Sequence, residues 1–250
     1  MISIITASYN SAATIEDTLK SVLAQTTEDY EYIIIDGNSS DKTVSIIERY
    51  APSFQGKLTY ISEPDKGIYD AWNKGIKLAK GEWICFIGSD DILLKDSLKN
   101  YMKAISNADK SINFISSKVE LVNNKLEHIN IIGKPWSSAM KNYCSISHVG
   151  ALHHCSLYEI NGLYSLKYKI CSDYEFLFRN YHYIIPAFMN EVTAKMRNEG
   201  ISNKTAYQAL FETLQIKNEK ASYIRKCFNY LFYIKALIGY TIRKQLNINF

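Results

Sequence analysis

The sequence predicts an α/β protein, a mostly parallel sheet flanked by helices, ending in a helical, basic and amphipathic tail. Three observations carry this. Short apolar runs alternate with amphipathic stretches over roughly the first ninety residues, and that alternation joins parallel strands by right-handed crossovers. Three runs stop at polar clusters, Ser8-Tyr9-Asn10, Asp36-Gly37-Asn38 and Ser89-Asp90-Asp91, which puts the strands' carboxyl ends along one edge. In open α/β sheets, ligands bind at such an edge. From Lys217 onward the chain holds seven Lys or Arg and one acid, and the part before it holds 22 basic and 24 acidic residues.

The elements follow in order. Ile2 to Thr6 is an apolar strand. From Ala12, Ile15, Leu19, Val22 and Leu23 recur on one helical face, with Asn10 or Ser11 as cap. Tyr30 to Ile35 is the second strand, followed by a turn at Gly37 and a helix to Tyr50 capped by Ser40 or Asp41. Leu58 to Ile61 is the third. Glu63-Pro-Asp-Lys-Gly67 is a loop, Ile68 to Lys80 a helix, and Glu82 to Ile87 a strand. Beyond Leu93 the pattern gives a helix over 95–106, a hairpin from 112–122 and 126–132, a strand over 145–152 and a helix over 172–181.

With 250 residues, 47% of them hydrophobic, one domain can bury a full core. The basic excess lies in the tail, so the body does not read as a nucleic-acid binder. Cysteines 85, 144, 155, 171 and 227 form no close pair with metal spacing, which fits a reducing compartment. The start, Met1-Ile-Ser-Ile-Ile, lacks the basic and apolar regions of a signal peptide, and no apolar run reaches the ~18 residues of a spanning helix.

The stretch Ile84-Cys-Phe-Ile-Gly-Ser-Asp-Asp91 carries the chemistry. Adjacent carboxylates at a strand end are either a solvated turn or the holders of a divalent cation, and hard oxygen ligands suit Mg²⁺ or Mn²⁺ bridging to a phosphate. No lysine-bearing phosphate loop and no G-x-G-x-x-G follows the first strand, which disfavours P-loop and dinucleotide enzymes.

Thr6-Ala-Ser-Tyr-Asn10, Asp36-Gly-Asn-Ser-Ser-Asp-Lys-Thr43, and Glu63-Pro-Asp-Lys-Gly-Ile-Tyr-Asp-Ala-Trp-Asn-Lys-Gly75 leading to Gly88-Ser-Asp-Asp91 together resemble family 2 glycosyltransferases of the GT-A fold. The resemblance covers residues 1 to about 215. It implies a nucleotide-binding half (1–94), an acceptor-binding half (95–215) and a C-terminal tail (216–250). It also implies site roles. Ala7, Ser8 and Tyr9 flank the base. Asp36 accepts from the uracil N–H, or caps a helix. Asp65 and Lys66 line the base and diphosphate. Asp90 reaches the ribose or the metal, and Asp91 ligates the metal. Asp70 and Asn73 either face the same cleft or are helix-surface polarity. Asp173 in Ser172-Asp-Tyr-Glu175 is the general base, or an N-cap, with Ser172 where relatives carry Glu. Glu175 and Arg179 pair on one face. His148 lies near the acceptor or diphosphate, or is structural. Where relatives complete the metal shell with His, Lys195 to Ser202 has none, leaving Asn198 or water.

These expectations describe an inverting, Mn²⁺- or Mg²⁺-dependent hexosyltransferase. It would move one sugar from a UDP-sugar to a polyprenyl-diphosphate-linked saccharide in surface polysaccharide assembly. The alternatives are a nucleotide-sugar-binding module without catalysis and a nucleotidyltransferase. At 100° per residue, Ser222 to Leu246 puts Arg225, Lys226, Asn229, Arg243 and Lys244 on one arc, with Phe232 and Tyr233 intruding on it. Cys227, Leu231, Ile234, Ile238 and Ile242 fall on the other. That pattern fits either an interfacial helix on an anionic cytoplasmic leaflet or a helix packed on protein. The first places the protein in the cytoplasm, peripheral on the inner membrane.

Overall fold

The computed structural model describes residues 1–198, 205–219 and 221–245, with side chains to residue 242. Residues Glu199 to Ser202 of the stretch lacking a metal-binding His, Leu246, and the side chains of Arg243 and Lys244 lie outside the described residues.

The first half alternates as the apolar runs require: β1 (Ile2–Ser8), α1 (Ile15–Leu23), β2 (Tyr30–Asp36), α2 (Thr43–Tyr50), β3 (Leu58–Ser62), α3 (Ile68–Leu78) and β4 (Trp83–Phe86). Then come β5 (Ile92–Leu93), α4 (Ser97–Asn107), β6 (Phe114–Val122), β7 (His128–Ile132), β8 (Ala151–His154), α5 (Ser156–Asn161), α6 (Ser172–Arg179), β9 (Pro186–Arg197), α7 (Ala206–Glu219) and α8 (Tyr223–Gln245). Along the sheet the order is β3-β2-β1-β4-β8-β6-β9-β5, with β7 added on β6. β1 pairs parallel with β2 and β4, and β2 with β3; β8 is antiparallel to both its neighbours.

Residues two apart on a strand face the same way, and both faces here are covered, as a parallel sheet requires. Ile5, Ile33, Ile35, Ile84 and Phe86 pack under α3, α5 and α6 with Trp72, Leu157 and Phe176. Ile4, Tyr32, Ile34, Cys85 and Ile87 face α1, α2 and α4 with Leu19, Ile47 and Leu98.

Three expectations need correction, and one strand had none. Helix α1 starts at Ile15 with no side-chain cap, its first N–H groups bonding instead to the Ser11 carbonyl. The strand expected from Ser145 begins only at Ala151, because pairing with β6 starts at Ala151 and pairing with β4 at Leu152. β9 was not legible: its pairing with β6 shifts register twice, which breaks the period-two signal. Helix α7 runs across the tail boundary expected at residue 215.

Helix α3 lies so close to β1 that a Cβ on Gly75 would stand 2.6 Å from Ile5 Cγ2. Gly75→Ala gains about 1 kcal/mol of helix propensity but overpacks the core, costing about 1–3 kcal/mol. The expected net is a lower urea midpoint with an unchanged slope.

Candidate active site

The carboxyl edge of the parallel strands is organised by Asp36, fully buried at the end of β2. Ser8 Oγ (3.0 Å) and Ser39 Oγ (2.5 Å) donate to its Oδ1, and Ser39 N–H (2.8 Å) and Ser62 Oγ (2.7 Å) to its Oδ2. A carboxylate offers about four lone-pair sites, and four donors fill them. Asp36 therefore ties the ends of β1, β2 and β3 together and keeps no lone pair for a base N–H, which corrects the expected role. Ser8, equally buried, is spent on the same hub.

The surface above Asp36 belongs to other groups. Tyr9 is 65% exposed and Ala7 half-buried. The left-handed residue of the turn is Asn38 (φ 63°), not Gly37. Gly37 is required by crowding: a Cβ there would meet Asp65 Oδ2 at 2.6 Å and Tyr9 Cδ2 at 3.3 Å. Asp65 holds its loop by accepting the Gly67 N–H on Oδ1 (2.8 Å), with Oδ2 lying against Gly37. Lys66 is exposed beside it, its N–H donating to Asp70 Oδ2 (3.0 Å). Asn73 is buried and exchanges both amide groups with the Tyr164 backbone (2.9 Å each), so it faces no cleft.

After β4 the two aspartates divide their work. Asp91 is 4% exposed; its Oδ2 accepts from Gly88 N–H (3.1 Å) and its Oδ1 from Arg197 N–H (3.2 Å). Asp90 is half-exposed. Asp91 thus shapes the turn through its backbone donors, and Asp90 beside it is the more exposed of the two. Arg197 fastens the loop, donating to the Asp90 carbonyl and to Asp17 Oδ2 (2.7 Å). Ser11 and Ser89 join their hydroxyls at 2.8 Å, linking this loop to the one after β1.

A divalent ion fits here. A Cβ on Gly88 would meet Asp91 Oδ2 at 2.6 Å and Asp90 Oδ1 at 2.7 Å, so both carboxylates lean over one spot that only glycine leaves open. Burial, then the Asp90 charge, pushes the Asp91 carboxyl up to about 7. Among the described residues no three His, Cys, Asp or Glu side chains gather as a metal cage. That donor set suits an ion held by one or two carboxylates, with water and substrate phosphates completing its shell. Asn198, in sequence a possible third ligand, uses its N–H on the Val122 carbonyl (2.9 Å).

Asp173 opens α6. Its Oδ1 accepts from Tyr69 O–H (3.2 Å) and Tyr174 N–H (2.8 Å). Tyr69, from α3, shares its single hydroxyl proton between this oxygen and the nearer Ile170 carbonyl (2.6 Å), joining the Asp65–Gly67 loop's helix to Asp173. Burial lifts the Asp173 carboxyl above the ordinary range, while those two donors pull it back. Glu212, buried on α7, accepts N–H groups from Lys169, Ile170 and Cys171 (2.9–3.1 Å) and so fixes the turn that aims Asp173. Glu212, Tyr69 and Arg197 had no sequence signal, since each acts through contacts distant in the chain. Glu175 and Arg179 pair as expected.

His148, half-buried, lines a small cavity together with Asp173 and is held there by aromatic packing. Its ring stacks on Trp72 (4.5 Å, 5°), its Nε2 meets Tyr164 O–H at 3.2 Å, and burial pushes its pKa down to about 3. It stays neutral and serves the aromatic packing.

Glycosyl transferase family 2, as a family model, matches residues 3–165. A PGL/p-HBAD biosynthesis glycosyltransferase of Mycobacterium bovis is 28% identical over 207 residues, covering 81% of this chain and 79% of that protein. An uncharacterized glycosyltransferase of Rickettsia typhi is 27% identical, covering 84% and 70%. Among solved structures, S. aureus TarS 1-349 in complex with UDP-GlcNAc superposes with TM-score 0.69 at 19% identity, over 94% of this chain and 71% of that one. The mannosyltransferase PcManGT from Pyrobaculum calidifontis, in complex with GDP-Man and Mn²⁺, gives 0.68 at 19%, over 92% and 68%. Against the longer TarS structure the chain spans 42% of that protein.

Two outcomes test this geometry. Asp36→Ala strands the buried Ser8 hydroxyl, worth about 1–3 kcal/mol when unmet, and unties the half-exposed Ser39 and exposed Ser62; denaturant unfolding should show a loss of about that size. The raised Asp91 carboxyl binds a proton in the fold that the unfolded chain has already released. Stability without metal should therefore fall as pH rises from about 4 to 7. Mn²⁺ should raise Tm more at pH 8 than at pH 5.

Proposed function

Because this chain belongs to glycosyl transferase family 2 and is a hexosyltransferase of the GT-A fold, we propose that it transfers one hexose, with inversion, from a UDP-sugar to a saccharide on a polyprenyl diphosphate. The setting is surface polysaccharide assembly at the cytoplasmic face of a membrane. The observation that carries the catalytic part is Asp173. It is a half-buried carboxylate with one oxygen anchored by Tyr69 and Tyr174, the other left for a proton, and an affinity for that proton raised by burial.

The acceptor hydroxyl gives its proton to Asp173 as its oxygen bonds to the anomeric carbon. The bond from that carbon to the diphosphate breaks in line, and UDP leaves with the electron pair. Asp90 and Asp91 would hold a divalent ion, which when bound would supply Lewis-acid neutralisation of the leaving diphosphate. Lys66, exposed on its loop, adds a cation on the same side. With Asp36 saturated, Asp65 is the acceptor for the base N–H: its Oδ2 lies against Gly37 beside the exposed Tyr9 ring. Support for a UDP-sugar comes from the TarS complex with UDP-GlcNAc, and for Mn²⁺ from the PcManGT complex, which holds GDP-Man. A guanine donor is the second reading that this neighbour favours.

Asp173→Asn should lower kcat by about 10²–10⁴ while UDP still raises Tm; unchanged turnover would remove Asp173 as the base. Tyr69→Phe removes a donor that favours the charged carboxylate, so the acid limb of the kcat profile should move to higher pH. Protection by GDP-sugars and not UDP-sugars in a thermal panel would reverse the donor assignment. Release of inorganic diphosphate instead of UDP would identify a nucleotidyltransferase.

A further inference from the structure

Helix α8 turns toward the body a face centred on Asn229, which is buried and donates to Asn218 Oδ1 (2.8 Å), with Tyr233, Ala236 and Leu237 half-buried and Tyr240 edge-on against Tyr207 of α7 (4.8 Å). An apolar stripe faces outward, with Phe228 62% and Leu231 64% exposed, and Ile224, Ile238 and Ile242 along the same stripe. The arc read from sequence as basic is therefore partly the packed one. Among the described residues no helix is long and apolar enough to cross a membrane.

Beneath α8 lies an open cleft of about 470 Å³ between the end of α6, Lys141 and α7. Lys141, His182, Lys217 and Arg225 line it, and among the described residues no acidic one does. Lys217 is 6% exposed, and its Nζ stands 4.5 Å over the Phe232 ring, at the border with the apolar stripe. Burial and the nearby Arg225 cation both push Lys217 below the ordinary lysine range. Arg225 reaches only the Asn142 amide oxygen (3.3 Å), and Lys141 lies over the Tyr181 ring (5.2 Å). Arg179 is already neutralised by Glu175. Crowded cations beside an outward apolar stripe match an amphiphile with a compact polyanionic head. Asp173 and Arg179 stand at opposite ends of α6, about 9 Å apart along its axis at 1.5 Å per residue.

We propose that this cleft seats the diphosphate of a lipid-linked acceptor, with Lys141, Lys217 and Arg225 as its ligands and the α8 stripe lying in the lipid surface. The identity of the acceptor rests on the proposed function; binding to the cleft does not require sugar transfer. The test is flotation of the intact protein with three kinds of phosphatidylcholine vesicle: plain, doped with polyprenyl diphosphate, or doped with phosphatidylglycerol to the same charge. Diphosphate vesicles should bind at least tenfold more tightly than phosphatidylglycerol ones. Lys141→Ala and Lys217→Met should each weaken that preference several-fold, Lys217→Arg should restore it, and millimolar inorganic diphosphate should compete. Leu231→Ser with Ile238→Ser should abolish flotation on all vesicles. Equal binding to both anionic vesicles would reduce the cleft to general charge attraction and overturn the proposal. So would a preference untouched in Lys141→Ala, whose exposed side chain makes misfolding no excuse. Flotation read without donor sugar separates this failure from a failure of the transferase reading, which the product assay decides.

Discussion

The carboxylate of Asp36 holds the ends of three parallel strands in one register. Its four donors come from the end of β1, from the turn after β2 and from the end of β3. Parallel strands have no hairpin to fix their ends relative to one another, so the loops beyond them depend on such cross-ties. A buried charge is tolerated only when fully hydrogen-bonded, and here that requirement becomes a positioning device. Tyr9, Asp65 and Gly37 meet above Asp36 because Asp36 brings their loops together.

The same logic recurs at each functional group. Asp91 closes the turn that presents Asp90, and Arg197, from the far strand β9, locks that turn from behind. Glu212 collects three backbone N–H groups ahead of α6 and so aims Asp173. Asp65, Asp90 and Asp173 are thus each positioned by a buried charged residue beside them. Preorganisation of this kind is where a transferase obtains its advantage, because groups already in place need not reorganise as charge develops.

Helix α8 shows the reverse economy. An apolar stripe turned outward is unfavourable in water, and its companion cleft gathers cations without acids. Both departures are explained together if the natural surroundings of this face are neither water nor another part of the same fold.

Much was legible in the sequence because it was local. Alternating apolar runs placed β1 to β4 and the helices between them within a few residues, and the polar clusters at strand ends named the site's edge. Asp90, Asp65, Lys66 and Asp173 stood out as candidates through the motifs that resemble family 2 glycosyltransferases. The division of labour was not legible. Asp36 and Asp65 are both loop carboxylates in sequence, as are Asp90 and Asp91; only the packing shows which is saturated and which is turned outward. His148 read either as near the acceptor or diphosphate, by its position in relatives, or as structural, and only the fold shows its ring stacked on Trp72. Strand β9, Arg197 and Glu212 were silent because their signal is long-range pairing. Sequence sets the chemical inventory and the local periodicity, since both are properties of neighbouring residues. Burial and hydrogen-bond saturation are properties of distant ones, so only the tertiary structure could assign them.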